Sequence, residues 1–493
     1  MIEFLQLPEN ASLPLRDQIC EMLSQVISRD LVAQNIALPS CRALAGHLGV
    51  SRNTVFAAYA RMIDSGLVTS KTKSGYFVNA DAVENLRHAG MATHEADAAF
   101  AFPDKLLVHG VRPSAFRKID NPEDWNKYPY PFIYNQIDPL LFPIRDWREC
   151  MRQALNQKQL AFWSGDQGSS DSAALLHQIQ QRLLAYRGLS AQRHEILITS
   201  GAQNAIYLAA SLFGQNGQTV AVEDPCYPEA RNAFKLAGSR VVGVPVDSDG
   251  LQIEKIPDGC SMVYTTPSHQ FPTTVTLSPE RRQALVDMAV TKGFVICEDD
   301  YEAEMNFVKN RGKPMRSLDR SGVVIYIGSL SKSLSPGLRL GYIVAHPDII
   351  AEAKAIRRAI MRHPPTLLQD AMSLFLRLGY QDAHLQKLHR RYKLRWQEMR
   401  LALSQCLPDF HIEATQGGTS FWVTGPPRLD TRVLAKRLRA KGVLIDEGSV
   451  FFENPNAGTR SFRIGFAALP IKSILPGVQI IAVEARALLA EHS

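Results

Sequence analysis

The sequence predicts two domains of different class: a small helical domain closed by a basic hairpin, then a large α/β domain built on a mostly parallel sheet. Three observations carry this prediction. Residues 15–65 set apolar side chains at helical spacing in three short runs. From Ile196 onward, seven near-continuous apolar runs alternate with helical stretches, the pattern of strands covered on both faces. Between the two, from about residue 80 to 143, regular periodicity fades. At 493 residues the chain is long enough for each domain to bury a core of its own.

The first helix is "LRDQICEMLSQVISR", residues 15 to 29, with Ile19, Met22, Leu23, Val26 and Ile27 on its apolar face. Ser40, after Pro39, is an N-cap opening a short helix that ends at Gly49, and Ser51 caps another running through Asn53, Thr54 and Tyr59 towards Ser65. Two short helices joined by "LGVS" have the shape of a helix-turn-helix, whose second helix presents Arg52, Asn53 and Thr54 at its N-terminal end. "LVTSKTKSGYFV" alternates like a hairpin with its tip at Thr72 to Gly75, flanked by Lys71 and Lys73, a wing for the minor groove or the phosphate backbone. The plainer alternative is a helical dimerisation module with solvated basic residues. The order of helix, helix, turn, helix and basic hairpin favours a double-stranded DNA partner.

Residues 11–79 resemble the GntR-type winged helix-turn-helix, through "LPSCRALAGHLGVSRNTVFAAYARMIDSG". That resemblance implies DNA contacts from Ser40, Arg42, Arg52, Thr54 and Gly75. The stretch "VAQNIALPS" departs from it, lacking the Pro-Gly usual before the "LPS". Residues 80–129 read as a linker, and the Pro- and aromatic-rich "NPEDWNKYPYPFIYNQIDPLLFP" as an extended arm docking on the next domain.

In a parallel sheet, ligands sit outside the carboxyl ends of the strands, so the polar residues following the apolar runs are where chemistry is sought. After "ILIT" come Ser200, Gly201, Ala202 and Gln203, leading into a helix whose N–H groups form a phosphate cradle. Tyr227 follows "TVAVED", placed to stack on a planar ligand. Asp299 and Tyr301 end "FVICEDD", Ser329 and Lys332 follow "VVIYIG", and Arg339 is within reach of an anion. Pyridoxal 5′-phosphate asks for this whole set: a lysine amine for a Schiff base, hydroxyl, backbone and guanidinium donors for its phosphate, and a carboxylate for its ring nitrogen. A metal is the competing reading of paired Asp299 and Asp300, but no cluster of His or Cys supports one.

The frame "SLSKSLSPGLRLGY", with "EDDYEAE" and "TPSHQFPT", makes residues 130–490 similar to a fold-type I, pyridoxal-phosphate-dependent aminotransferase. Behind a GntR-type winged helix, this resembles the MocR/GabR family of transcriptional regulators. The resemblance implies that Lys332 bonds the cofactor aldehyde, Asp299 pairs with the ring nitrogen, Tyr301 meets the phenolic oxygen and Tyr227 stacks on the ring. Ser200, Ala202, Gln203, Ser329 and Arg339 then hold the phosphate, while "RSFRIGFA" points to Arg463, with Arg460 as the alternative, for an effector carboxylate. It also implies a head-to-tail homodimer and a small amino compound, or the cofactor itself, as signal. The family takes its name from a regulator of rhizopine catabolism, one pathway to which the resemblance points.

Two positions depart from the enzymes. Phe271 stands where aminotransferases carry Asn before Pro-Thr-Gly, with Thr274 in place of the Gly, and "WSGDQGSSDSAALLHQ" replaces a segment that carries an arginine. Both bear on full transamination more than on cofactor binding. The expectation is therefore a sensor with at most a residual half-reaction; the alternative is a working aminotransferase with an accessory DNA-binding domain. The basic tract at residues 384–400 has two readings, a second DNA surface or the charged face of a long amphipathic helix, and the second is preferred.

Composition is compatible with this. The net charge of +7 permits a polyanion partner. The seven cysteines are scattered and never spaced C-x-x-C, as for reduced thiols in a cytoplasm. The start lacks a basic segment ahead of an apolar run, and a long charge-free stretch, Asn204 to Val222, is broken by Gln, Asn and Gly, so neither a signal peptide nor a membrane span is expected.

Overall fold

The computed structural model describes residues 5, 7, 13–28, 37–71, 75–79, 112–134, 136–166, 168–302, 304–305, 312–413 and 417–491. The chain divides into two compact units, Met1–His109 and Gly110–Ser493.

The first unit contains helices α1 (Leu15–Ser28), α2 (Cys41–Leu48) and α3 (Arg52–Asp64), then the antiparallel hairpin β1 (Val68–Lys71) and β2 (Gly75–Val78). Ser40 caps α2, its hydroxyl accepting the Ala43 N–H at 3.2 Å, and Ser51 caps α3 by accepting the Thr54 N–H at 3.1 Å. Gly49 closes α2 in the left-handed region, at φ 65°, which a side chain would strain. Ile19, Leu23, Leu44, Val55, Tyr59 and Val68 are buried together. Tyr59 ties the pieces: its hydroxyl donates to the Pro39 carbonyl at 2.7 Å and its ring stacks on Tyr76 with centroids 4.3 Å apart. Thr72, Lys73 and Ser74 of the hairpin tip and residues 80–111 of the linker lie outside the described residues.

Residues 112–129, assigned to the linker by their composition, are anchored on the second unit. Arg117 donates to the carbonyls of Ser449 at 3.0 Å and Glu453 at 2.6 Å, and Asn232 donates back to the Arg117 carbonyl at 2.8 Å. The arm then contributes β3 (Tyr130–Phe132).

Twelve more strands follow in the second unit: β4 (Ile196–Thr199), β5 (Thr219–Asp224), β6 (Arg240–Asp247), β7 (Gly250–Leu251), β8 (Met262–Thr265), β9 (Val295–Asp300), β10 (Val324–Ser329), β11 (Gly341–Val344), β12 (His411–Ile412), β13 (Ser420–Thr424), β14 (Val443–Glu447) and β15 (Ser461–Gly465). Eight form one sheet in the order β4-β11-β10-β9-β8-β5-β6-β7. The run from β10 to β6 is parallel, and β11 lies antiparallel between β10 and β4. Every apolar run read from the sequence is a strand of this sheet. The second sheet, β12-β13-β15-β14-β3, was not expected. Its strands span two to five residues, and β3 pairs in parallel with β14, Tyr130 opposite Val443, so no local pattern announces it.

The basic tract is part of the helix Tyr380–Cys406, which buries Leu388, Tyr392 and Met399, while buried Arg395 donates to Asp138 at 2.5 Å. It is an amphipathic helix, as its periodicity implied. Among the described residues, one segment, Ile471–Ala490, is long and apolar enough to cross a membrane. In this fold Ile474, Val478, Ile481, Ala485 and Leu488 pack into the core.

Arg357 pins the start of the site's architecture. Fully buried, it donates to Asp171 at 2.7 Å, to the Ser169 carbonyl at 2.9 Å and to the Ile198 carbonyl of β4, while Asp171 accepts the Ile198 N–H at 3.2 Å. Arg357→Ala strands the Asp171 carboxylate, and a loss of roughly 3–5 kcal/mol is expected from denaturant unfolding. A loss below about 1 kcal/mol, the range of an exposed pair, would refute this role.

Candidate functional site

Two surfaces emerge, one per unit. In the first unit Arg42, Arg52, Asn53, Lys71 and Gly75 are exposed. Ser40 and Ser51 are also exposed, but their hydroxyls serve the helix caps, and half-buried Thr54 shares a hydrogen bond with Ser51 at 2.8 Å. Positive and amide donors at the start of α3, beside a Lys-bearing hairpin, suit phosphates and base edges. The Lys71 ammonium lies 4.9 Å from the centroid of the Phe77 ring.

In the second unit, parallel pairing brings the carboxyl ends of β5, β8, β9 and β10 to one edge. There a cavity is lined by Ala202, Gln203, Tyr227, Asp299, Tyr301, Ser329, Lys332 and Arg339, all singled out from the sequence. Tyr134, Tyr264, Thr266 and Phe271 are also part of the wall.

Each side chain arrives for a local reason. Asp299 and Asp300 are consecutive on β9, so they point to opposite faces. Asp299 enters the cavity, accepts the Tyr264 hydroxyl at 2.8 Å on Oδ2, and leaves a buried Oδ1 with no hydrogen-bond partner among the described residues. Burial, reinforced by the nearby Asp300, pushes its carboxyl up to about 7. Asp300 faces the other way, 2.7 Å from the Arg187 guanidinium, and accepts the Tyr326 hydroxyl at 2.8 Å. Burial opposes its ionisation, yet Arg187 together with the Ser268 and Tyr326 hydroxyls outweighs that and holds it below the usual range.

Lys332 follows β10, with its Nζ 4.2 Å from the centroid of the Tyr134 ring and 5.4 Å from that of Tyr301. Burial lowers its ammonium to about 8, partly offset by Glu302 and Asp299. Glu302 turns toward the floor of an adjoining cavity, where the Thr419 hydroxyl donates to it at 2.5 Å.

The phosphate-like end is built on glycine. Gly201, at φ 81°, precedes the helix Ala202–Phe213 and directs the first N–H groups of that helix at the cavity. A β-carbon there would come 3.3 Å from the Arg339 guanidinium. Ser200 differs from the expectation. Its hydroxyl turns to the Met361 sulfur at 3.5 Å and lines a neighbouring, more open cavity, because the chain reverses at Gly201.

The two arginine alternatives separate. Arg463 is buried on β15, lines the adjoining cavity with Lys332, and donates to Asp446 at 3.0 Å. Burial raises the Asp446 carboxyl to about 6, with Arg463 opposing the rise. Arg460, the alternative, is exposed at the strand's approach, where its carbonyl accepts the Gly425 N–H, so Arg463 is the one of the two that faces the cavity. Alternation along β15 puts odd and even positions on opposite faces, which the sequence reading did not resolve.

Pyridoxal 5′-phosphate fits these residues. The orphaned Asp299 Oδ1 asks for a proton donor inside the cavity, the glycine-led helix start and Arg339 ask for an anion, and Lys332 offers an amine between them. Phe271 fills the wall edge-on to Tyr134, Tyr227 and Tyr301, at centroid distances of 4.9, 5.2 and 5.8 Å.

Comparison with known proteins adds the following. A family model described as aminotransferase class I and II matches residues 138–481, and one for bacterial regulatory proteins of the gntR family matches residues 15–78. The chain is similar to the HTH-type transcriptional regulator TauR of Rhodobacter capsulatus, 38% identical over 468 residues, covering 95% of this chain and 96% of that protein. It is also similar to the probable rhizopine catabolism regulatory protein MocR of Rhizobium meliloti, 28% identical over 485 residues, 96% of this chain and 94% of that one. Among solved structures, LysN, the α-aminoadipate aminotransferase of Thermus thermophilus, complexed with N-(5′-phosphopyridoxyl)-L-leucine, aligns with a TM-score of 0.69 and 27% identity, covering 79% of this chain and 98% of its own. The kynurenine aminotransferase of Pyrococcus horikoshii, in complex with PMP, aligns with a TM-score of 0.70 and 25% identity, over 80% of this chain and 99% of its own.

The raised Asp299 carboxyl sets a pH dependence. Between the unfolded value of ~3.9 and the folded value of about 7, the folded chain keeps a proton that the unfolded chain has lost. Stability contributed by this group is therefore present at low pH and lost as pH rises through that window. Without added cofactor, Asp299→Asn is expected to melt higher than the wild type at pH 8, by the equivalent of roughly 1 kcal/mol or more. The gap closes as the pH falls toward 4; a variant that melts lower at pH 8 contradicts the assignment.

Proposed function

The chain belongs to the family of helix-turn-helix transcriptional regulators that join a GntR-family domain to an aminotransferase class I and II domain, and from that premise we propose that it senses an amino compound in the cavity around Lys332 and converts occupancy into altered binding of operator DNA. One observation carries the proposal: Lys332, Asp299 and Arg339 line a single cavity in a chain that also presents Arg52 and Asn53 at the open end of a recognition helix.

Pyridoxal 5′-phosphate is the cofactor in this reading. Asp299 holds its ring nitrogen, Tyr301 its phenolic oxygen and Tyr227 its ring face. The Ala202 and Gln203 N–H groups, with Ser329 and Arg339, hold the phosphate. When bound, the cofactor supplies an aldehyde carbon open to a primary amine and a ring that withdraws electrons.

The chain's own groups do the rest. An ammonium held at about 8 gives Lys332 a useful share of neutral amine near neutral pH, so Nζ accepts and returns a proton as effectors exchange. Arg463 takes the effector's acidic end, oriented by Asp446. The aromatic wall of Tyr134, Tyr227, Phe271 and Tyr301 keeps water out. With Phe271 where aminotransferases place Asn, the cavity favours holding an amine over completing a transamination cycle. Occupancy then biases two states of the regulator that differ in DNA affinity. Arg42, Arg52, Asn53 and Lys71 meet the DNA, with Gly75 at the hairpin, and the protein acts as a head-to-tail homodimer in the cytoplasm.

An absorbance spectrum followed during titration with amino compounds tests this. A visible cofactor band that shifts and persists is expected; loss of the band with release of a keto acid supports the enzyme alternative instead. Lys332→Ala is expected to abolish the response to amines, a change of at least tenfold in effector dependence, while operator binding stays measurable by gel shift. Loss of DNA binding in that variant, with its fold intact by circular dichroism, overturns the proposal.

A further inference from the structure

Helix α3 is anchored by Val55, Ala58, Tyr59 and Met62, all buried. Its outward side carries exposed Arg52, Asn53 and Phe56, with half-buried Ala57 and Ala60 beside them. Consecutive residues turn by about 100° around a helix. Phe56 thus stands one turn beyond Arg52 and, viewed down the axis, between Arg52 and Asn53. It is 59% exposed, against 37% and 47% for Leu13 and Leu15, the other large apolar side chains exposed in this unit among the described residues.

A single exposed apolar side chain is common on protein surfaces, so exposure alone decides nothing. Position does. Arg52 and Asn53 are hydrogen-bonding readers at the helix start, and the alanines are short enough to let the backbone approach a groove floor. Phosphates attract guanidinium, ammonium and hydroxyl groups, not a phenyl ring. The major groove presents one apolar feature, the C5 methyl of thymine. We propose that Phe56 is a base-reading residue, its ring packing on a thymine methyl beside the base pairs met by Arg52 and Asn53. The N-terminal residues of the helix then read donors and acceptors, and Phe56 reads a methyl one turn deeper.

This rests on the DNA-binding reading above, and the test separates the two. The full-length protein selects duplexes from a random library, and each dT of the selected sequence is then replaced by dU, which lacks only the methyl. Burial of one methyl predicts about a fourfold loss of affinity at one dT per half-site and little change elsewhere. Phe56→Ala is expected to bind the dT duplex several-fold more weakly, to show no further loss at that dU, and to select sequences in which that thymine is no longer fixed. A flat dU profile for the wild type overturns the proposal. So does a Phe56→Ala protein that keeps the wild-type dU profile, the result expected if the ring packs on protein instead. If the wild type enriches no sequence at all, the DNA-binding reading fails and the assignment of Phe56 falls with it.

Discussion

Parallel hydrogen bonding of β9 between β8 and β10 is the constraint on which the cavity depends. It sets Asp299 level with Ile327 and Glu298 level with Thr265. Side chains alternate along a strand, so a slip of one residue would exchange the two faces of β9. Asp299 would then meet Arg187, and Asp300 would enter the cavity. Backbone pairing, not side-chain contact, decides which of two adjacent carboxylates is left without a salt bridge among the described residues.

That asymmetry organises the electrostatics. On one face of β9, Asp300 is matched by Arg187, and Glu298 accepts the Met315 and Arg316 N–H groups at 2.8 and 2.9 Å. On the other, Asp299 has only the Tyr264 hydroxyl and a bare oxygen. An unmatched acid in a desolvated cavity is poised to take a proton or a cationic partner. Lys332 and Asp446 are perturbed by the same desolvation, in the directions that burial dictates for a base and an acid. The neighbouring Arg463–Asp446 pair shows the contrast: there the opposite charge is built in.

Most of the large sheet was legible in the sequence, because strands buried on both faces read as unbroken apolar runs. The caps of α2 and α3 were legible for a different reason: a serine before a helix has few other uses. The second sheet was not, since β3 and β14 are far apart in the chain and too short to carry a period. Within the cavity, residues that follow an apolar run were found by position, Lys332 and Asp299 among them. Tyr134, contributed from afar by the arm, has no local signature, and neither does Asp446, which reaches the site through Arg463. Ser200 shows the limit of reading one residue at a time: it has the right chemistry, but the turn at Gly201 aims its hydroxyl elsewhere.

The close approach of Gly201, Gly341 and Arg339 orders the ways in which this site can be lost. A β-carbon on Gly341 would meet the Gly201 carbonyl carbon at 3.0 Å and the Ala202 nitrogen at 3.1 Å, backbone atoms that cannot step aside, whereas one on Gly201 meets a movable guanidinium at 3.3 Å. Arg339 itself is exposed, although its backbone too is left-handed, at φ 50°. A lineage that gave up the anion would therefore shed the arginine first, could drift at 201 only where the left-handed backbone tolerates it, and would keep glycine at 341 longest. In such descendants the glycine persists as a fossil of the site after the charge that needed it has gone.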